Sequence, residues 1–239
     1  MKCNLFAVLL ILVGLVPASM APAHAVHSDS SLIDGFEKTV FGSEYSGFVL
    51  SSQYVRKFQQ PVRFHVKANG FGKRKADVTR FLRRLSGLIK GLDVEIVSDA
   101  AKANFVVHIV RRRDYGRTVR DEVFSGRDVT IRGRCMVRAV FSRRGISRSD
   151  AVIVADEGDA LFQRCMVEEI LQGLGPLNDD RSLKASMFND ATNFTSFRRF
   201  DRILLNMLYD PRIRAGASKR AVVPLLPEVV RDVKRRIYR

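Results

Sequence analysis

Five positions in one stretch combine residue type and spacing that bear on chemistry: Glu168, Glu169, Gln172, Gly175 and Asn178, with Asp179 directly behind them. Glu168 and Gln172 are four residues apart, so on a helix they share a face. Gly175 breaks the helix and lets the chain turn back, which brings Asn178 beside that face. All three side chains offer oxygen. One carboxylate and two amides make a poor zinc set and come closer to a calcium-type set, to which Asp179 and Asp180 would add charge. Zinc takes three protein ligands, usually nitrogen or sulfur, and an open position. The histidines beyond the first 25 residues are His27, His65 and His108, none of them near this stretch. We therefore expect no cofactor here, with a hard cation as the alternative to a simple hydrogen-bonded polar cluster of Glu168, Gln172 and Asn178. Glu168 and Glu169 do not make a glycosidase pair, because consecutive helix residues point about 100° apart.

The elements around this stretch can be read from periodicity. Pro61 to Ala68 alternates Val62, Phe64 and Val66 with Arg63, His65 and Lys67, a half-buried strand. After the Asn69–Gly72 turn, Lys75 to Lys90 spaces Val78, Phe81, Leu82, Leu85, Leu88 and Ile89 as a helix with basic residues opposite. Leu92–Val97 and Asn104–Val110 read as strands, the second apolar enough to be central. Arg111 to Asp128 is charged and reads as an irregular excursion. Arg134–Ser142 alternates again, Arg143-Arg144-Gly145 turns, and Ala151–Ala155 is a short strand. The helix with the polar positions then runs from Asp156 or Gly158 to Gly173, its N-terminus suited by Asp156, Glu157 and Asp159. Ser186–Asp190 is turn-like, Thr195 is placed to cap a helix over Ser196–Tyr209, and Pro224–Tyr238 is a last basic helix. Leu32–Phe41 reads as a short helix, and Gly42–Tyr54 has no clear pattern. The expected class is α+β, in α/β layers around a mixed sheet.

The N-terminus has the three parts of an export signal: Lys2, the apolar run Leu5–Val16, and Ala23-His24-Ala25. We expect cleavage after Ala25, a leader with short elements over 26–60, and a single domain over 61–239. The apolar run is too short to span a bilayer and no later run is longer, so no transmembrane span is expected. The expected location is outside the cytoplasm, with a bacterial periplasm the simplest address. The net charge is +16, and +15 without Lys2. For an exported chain that charge points to anionic lipids or envelope polymers rather than to nucleic acid, or to a solvated surface without a dedicated partner. Cys135 and Cys165 remain after Cys3 leaves with the signal, and an oxidising compartment favours their pairing over two buried thiols. The bridge would tie a strand to the start of the polar helix, at ~3 kcal/mol.

The order strand, helix, strands, long helix, turn, helix resembles the metzincin, or zincin-like, metalloprotease domain, whose signature is H-E-x-x-H-x-x-G-x-x-H. Residue by residue, that resemblance puts Glu168, Gln172 and Asn178 on the three histidine ligand positions and Glu169 on the general-base position. Gly175 falls on the helix break and Met187, in Ser186-Met187-Phe188, on the methionine turn as packing beneath the site. Thr195, Asp201 and Leu208-Tyr209 match the closing helix. The resemblance covers roughly Pro61 to Asp210. The chain is also similar to an exported bacterial family, domain of unknown function 2927, at Glu168–Gly175, Asn178-Asp179, Ser186–Asp190 and Leu208–Asp210. That similarity implies a shared fold and no activity.

Without histidine ligands, Glu169 has no metal-bound water to deprotonate. The expectation is an exported, non-catalytic zincin-like protein that binds a peptide, a protein or an anionic envelope component. One alternative is an atypical hydrolase using Glu169, with or without an oxygen-ligated metal. Another is a basic module that binds anionic polymer away from the cleft.

Overall fold

The structure is a computed structural model and describes residues 27–42 and 54–239. The segment read as an export signal, and most of the patternless Gly42–Tyr54, lie outside the described residues. Strands β1 (Val62–Lys67), β2 (Val94–Ile96), β3 (Phe105–Val110), β4 (Cys135–Ser142) and β5 (Gly145–Val154) form one mixed sheet in the order β2-β1-β3-β5-β4. β1 is parallel to β2 and β3, β3 is parallel to β5, and β4 closes the far edge antiparallel to β5. Helices α1 (Asp29–Phe41), α2 (Gly72–Leu88), α3 (Arg112–Thr118), α4 (Asp159–Gln172), α5 (Arg199–Leu208), α6 (Lys219–Val222) and α7 (Leu226–Ile237) complete the α+β architecture.

The period-two pattern of β1 sorts its side chains as expected: Val62, Phe64 and Val66 are buried on the main core face. β3 is central, as its apolar run requires, because both of its faces are covered. Phe105, Val107 and Ile109 point into the main core, and Val106 and His108 point to the opposite face. The main core is a single cluster in which β1, β3, α2, α4, α5 and α7 all meet. α1 belongs to the same core through Leu32, Phe36 and Val40. It starts at Asp29, earlier than the periodicity places it, because Ser28 Oγ accepts the Ser31 amide at 3.1 Å and fixes the first turn.

Four local expectations change. Arg111–Asp128 is not irregular: α3 continues into a π-helical turn over Val119–Val123. Tyr115, Val119 and Val123 stand four apart there and pack with Val152 and Val154 on the second face of the sheet. β5 is twice the length expected, since its polar first half, Ser147–Asp150, pairs with β4 and β3. Asp156 and Glu157 do not sit in the first turn of α4, which begins at Asp159. Asp156 instead accepts the Arg112 amide at 2.8 Å, and Glu157 pairs with Arg134 at 2.7 Å. Thr195 caps nothing, because α5 begins only at Arg199. β4 carries a register irregularity at Val140/Phe141.

Cys135 and Cys165 are joined, with 5.8 Å between their Cα atoms and 30 residues between them in sequence. Cys165 lies in the middle of α4, not at its start, so the bridge clamps edge strand β4 to the centre of the helix. Closing a loop of that size restricts the unfolded chain. Replacing both cysteines by alanine is expected to lower the unfolding free energy by about 3 kcal/mol in urea titrations. Dithiothreitol should produce a matching loss in the parent chain and none in the double variant.

Candidate functional site

The site is built on the second half of α4. From Cys165 to Gln172 every residue of this helix is buried, so its polar members cannot reach bulk water. Glu168, Glu169, Gln172 and Asn178 are between 5% and 9% exposed. Each therefore needs a partner within the protein.

Arg164 supplies one, a turn earlier on the same helix. Its Nη2 lies 2.9 Å from Glu168 Oε1, and Nη1 donates to the Thr192 carbonyl. The guanidinium thus joins α4 to the loop over 189–192. Gln172 Nε2 donates to Asp179 Oδ1 at 2.8 Å, which ties the helix end to the acidic turn. Asn178 Nδ2 donates to the Lys38 carbonyl at 3.0 Å and to the Asp179 carbonyl at 3.1 Å. The structure thus gathers Glu168, Gln172, Asn178 and Asp179 at one place. Glu169 is buried on the same helix, turned away from Glu168 by the helical pitch.

Gly175 makes this turn possible. Its φ is 144°, and a Cβ there would lie 2.3 Å from the Arg56 carbonyl oxygen and 2.8 Å from Leu208 Cδ2. Arg56 is itself buried, and burial pushes its guanidinium down to about 10. Its Nη2 donates to the Val40 carbonyl at 2.8 Å and to the Gly42 carbonyl at 3.4 Å. With Asn178 on Lys38, three carbonyls at the C-terminal end of α1 receive side-chain donors, one of them cationic as the helix dipole favours.

The turn around Met187 is held from below by α5. Asp201 is fully buried and accepts Ser186 Oγ at 2.5 Å and the Met187 amide at 3.0 Å. The Met187 side chain packs in the core. The Asp180 amide donates to the Phe188 carbonyl at 2.9 Å, which links the acidic turn to the methionine turn. Tyr209, at the end of α5, donates its hydroxyl to the Leu174 carbonyl at 2.9 Å, and burial pushes its phenol well above the ordinary range.

Carboxylate oxygens of Glu168, Asp179 and Asp190 lie within 4.8 Å of one another. This is the donor set with which a hard cation would be compatible, and it differs from the one read in sequence. Asp190 joins Glu168 and Asp179 there, while the amide nitrogens of Gln172 and Asn178 donate to Asp179 and to the Lys38 carbonyl. The sequence reading also missed Arg164, although its place four residues before Glu168 is an ion-pair spacing.

The two strand histidines stay apart from this site. His65 Nδ1 is 3.1 Å from the Val97 carbonyl. His108 is buried on the second face of the sheet, with Nε2 3.3 Å from Asp150 Oδ1 and Nδ1 3.4 Å from Glu122 Oε2. Burial works to raise the Asp150 carboxyl, but hydrogen bonds from His108 and Arg148 outweigh it and hold it low.

With the geometry in place, comparison with protein families is decisive on kinship. A family model described as "Protein of unknown function (DUF2927)" matches residues 29–228. The chain belongs to this family. No curated protein matches it. The DUF2927 match takes in α1 together with α4 and α5, and so covers every element that contributes to the site. No described helix of this family member is long and apolar enough to cross a membrane.

Two expectations follow from the site. Asn178→Ala is expected to cost about 1 kcal/mol in urea titrations, since the Lys38 carbonyl keeps only its helical partner; limited trypsin digestion should then cut faster at Lys38. The second concerns pH. Burial pushes the Asp201 carboxyl up to about 7, against the two hydrogen bonds it accepts. In the unfolded chain it ionises near 4, so between about 4 and 7 the native state keeps a proton that the unfolded chain has lost. Its contribution is full below that window and falls as pH rises through it. Carboxylates held low, such as Asp150 and Asp210, lose their contribution only as pH falls below about 4. The urea midpoint should therefore fall more steeply from pH 4 to 7 in the parent than in Asp201→Asn.

Proposed function

We propose that this DUF2927 protein is an exported, non-catalytic relative of the zincin-like metalloproteases that binds a peptide, a protein or an anionic envelope component. The observation that carries this reading is how the ligand-equivalent positions are used. Glu168 pairs with Arg164, and the amide nitrogens of Gln172 and Asn178 donate to Asp179 and to the end of α1. In the zinc enzymes these positions hold the metal that activates water; here they hold three pieces of the same chain together. The helix, the break, the methionine turn and the closing tyrosine remain as a scaffold. Glu169 keeps the base position without the Lewis acid that gives the base its work. The export signal and the positive charge favour a periplasmic setting and an anionic or envelope-borne partner.

One observation favours a second reading, a hydrolase or binding protein that uses a hard cation: the convergence of Glu168, Asp179 and Asp190. A metal assay separates the two. Purified protein should hold no stoichiometric metal by elemental analysis, its melting temperature should not change with millimolar calcium or chelator, and Glu169→Gln should leave any binding activity intact. Stoichiometric zinc would sink the non-catalytic reading. A calcium-dependent rise in melting temperature that Asp190→Asn abolishes would replace it with the cation reading.

A further inference from the structure

One face of α2 carries cations that no carboxylate balances. Lys73, Arg83 and Arg84 are exposed on it, Lys75 is exposed on its flank, and Lys90 lies exposed just beyond its end. Among the described residues, none of these five takes part in an ion pair, whereas the helix's single carboxylate, Asp77, is taken by Arg80 at 2.9 Å. The opposite face buries Val78, Leu82 and Leu85, so the helix cannot rotate to hide the charge.

The same surface continues onto the start of α5. Arg202 Nε and Asn206 Nδ2 donate to the Leu88 carbonyl at 3.2 and 2.8 Å and fasten α5 alongside α2. Phe81 of α2 meets Phe197 edge-on, with ring centroids 6.5 Å apart and both rings half-buried. Arg198 is exposed beside them, over the Phe194 ring at 4.2 Å, and Arg199 is exposed over the Tyr238 ring at 5.1 Å. No acidic residue occurs from Ala191 to Phe200.

We propose that the exposed face of α2 and the 194–199 segment together form a docking surface for a bilayer rich in anionic phospholipid. Unpaired lysines and arginines meet the headgroup phosphates, and the half-buried rings of Phe81 and Phe197 lie at the boundary between headgroups and acyl chains. Ring packing favours lipid over single-stranded nucleic acid. Base stacking needs an open ring face; Phe81 and Phe197 are half-buried and packed against each other at 77°, and one face of Phe194 lies under Arg198. The surface does not include the polar cluster on α4, so the proposal stands or falls apart from the reading of that site.

The test uses residues 26–239, because the Leu5–Val16 run would itself partition into lipid. In co-sedimentation, this protein should bind phosphatidylglycerol–phosphatidylcholine vesicles at least about tenfold more tightly than phosphatidylcholine alone, with binding weakened by salt. Reversing charge at Lys73, Arg83 and Arg84 to Glu should reduce binding at least about tenfold, and neutralising the same three to Gln should give a smaller loss with an unchanged melting temperature. Reversal at Arg120, Arg127 and Arg132, on and beyond the α3 side, should cost less than about threefold. The chain has no tryptophan, so Phe197→Trp supplies a single reporter whose emission should shift to the blue on anionic vesicles alone. Equal losses from both sets of reversals, absence of vesicle binding, an unshifted emission from the Phe197→Trp variant, or tighter binding to a single-stranded oligonucleotide than to the anionic vesicles would each overturn the proposal.

Discussion

A buried helix that carries polar side chains has to find partners for them, and the second half of α4 sets that requirement for the rest of the fold. Water cannot serve Glu168, Glu169 or Gln172 at their depth. An uncompensated carboxylate in such a place costs several kcal/mol, far more than an ordinary surface ion pair contributes. The chain meets the demand with Arg164 on the helix itself and by bringing the acidic turn and the loop at Asn189–Thr192 onto it. Asn178 extends the same network to the end of α1. Amides and a guanidinium tie these elements together by hydrogen bonding.

The disulfide and the Asp201 anchor add two further ties around that helix. One holds the strand edge against its middle, and the other holds the turn at Met187 to α5. Both constraints come from elements distant in sequence, which is why α4 keeps a fixed position although its own N-cap, Gly158, offers no side-chain bond. Rigidity at this point comes from tertiary ties and not from the local propensity of the helix.

Much of this was legible in sequence where burial and period agree. Val62, Phe64 and Val66 marked β1, the run Phe105–Val110 marked a central strand, and Gly175 marked the break. The polar positions were found because their spacing resembles a known signature, and their convergence followed from helix geometry. What escaped depended on polar residues made buriable by one another. The strand expected over Ala151–Ala155 leaves out Arg148 and Asp150, yet Asp150 is buried because Arg148 and His108 satisfy it, and that satisfaction allows β5 to run on. Tyr115, Val119 and Val123 held a helical period, but the charges around them concealed it. The role of Asn178 as a cap for α1 involves a carbonyl 140 residues away, which no local pattern announces.

The two edges of the sheet have a consequence for how the protein can meet others. β2 is only three residues long, and β4 is irregular at Val140/Phe141 and leads into Arg143 and Arg144 at its hairpin. A short strand and a bent, arginine-flanked one are poor templates for an added strand. Neither edge of the described sheet is a long, regular template for an added strand, which works against edge-to-edge stacking with its own copies.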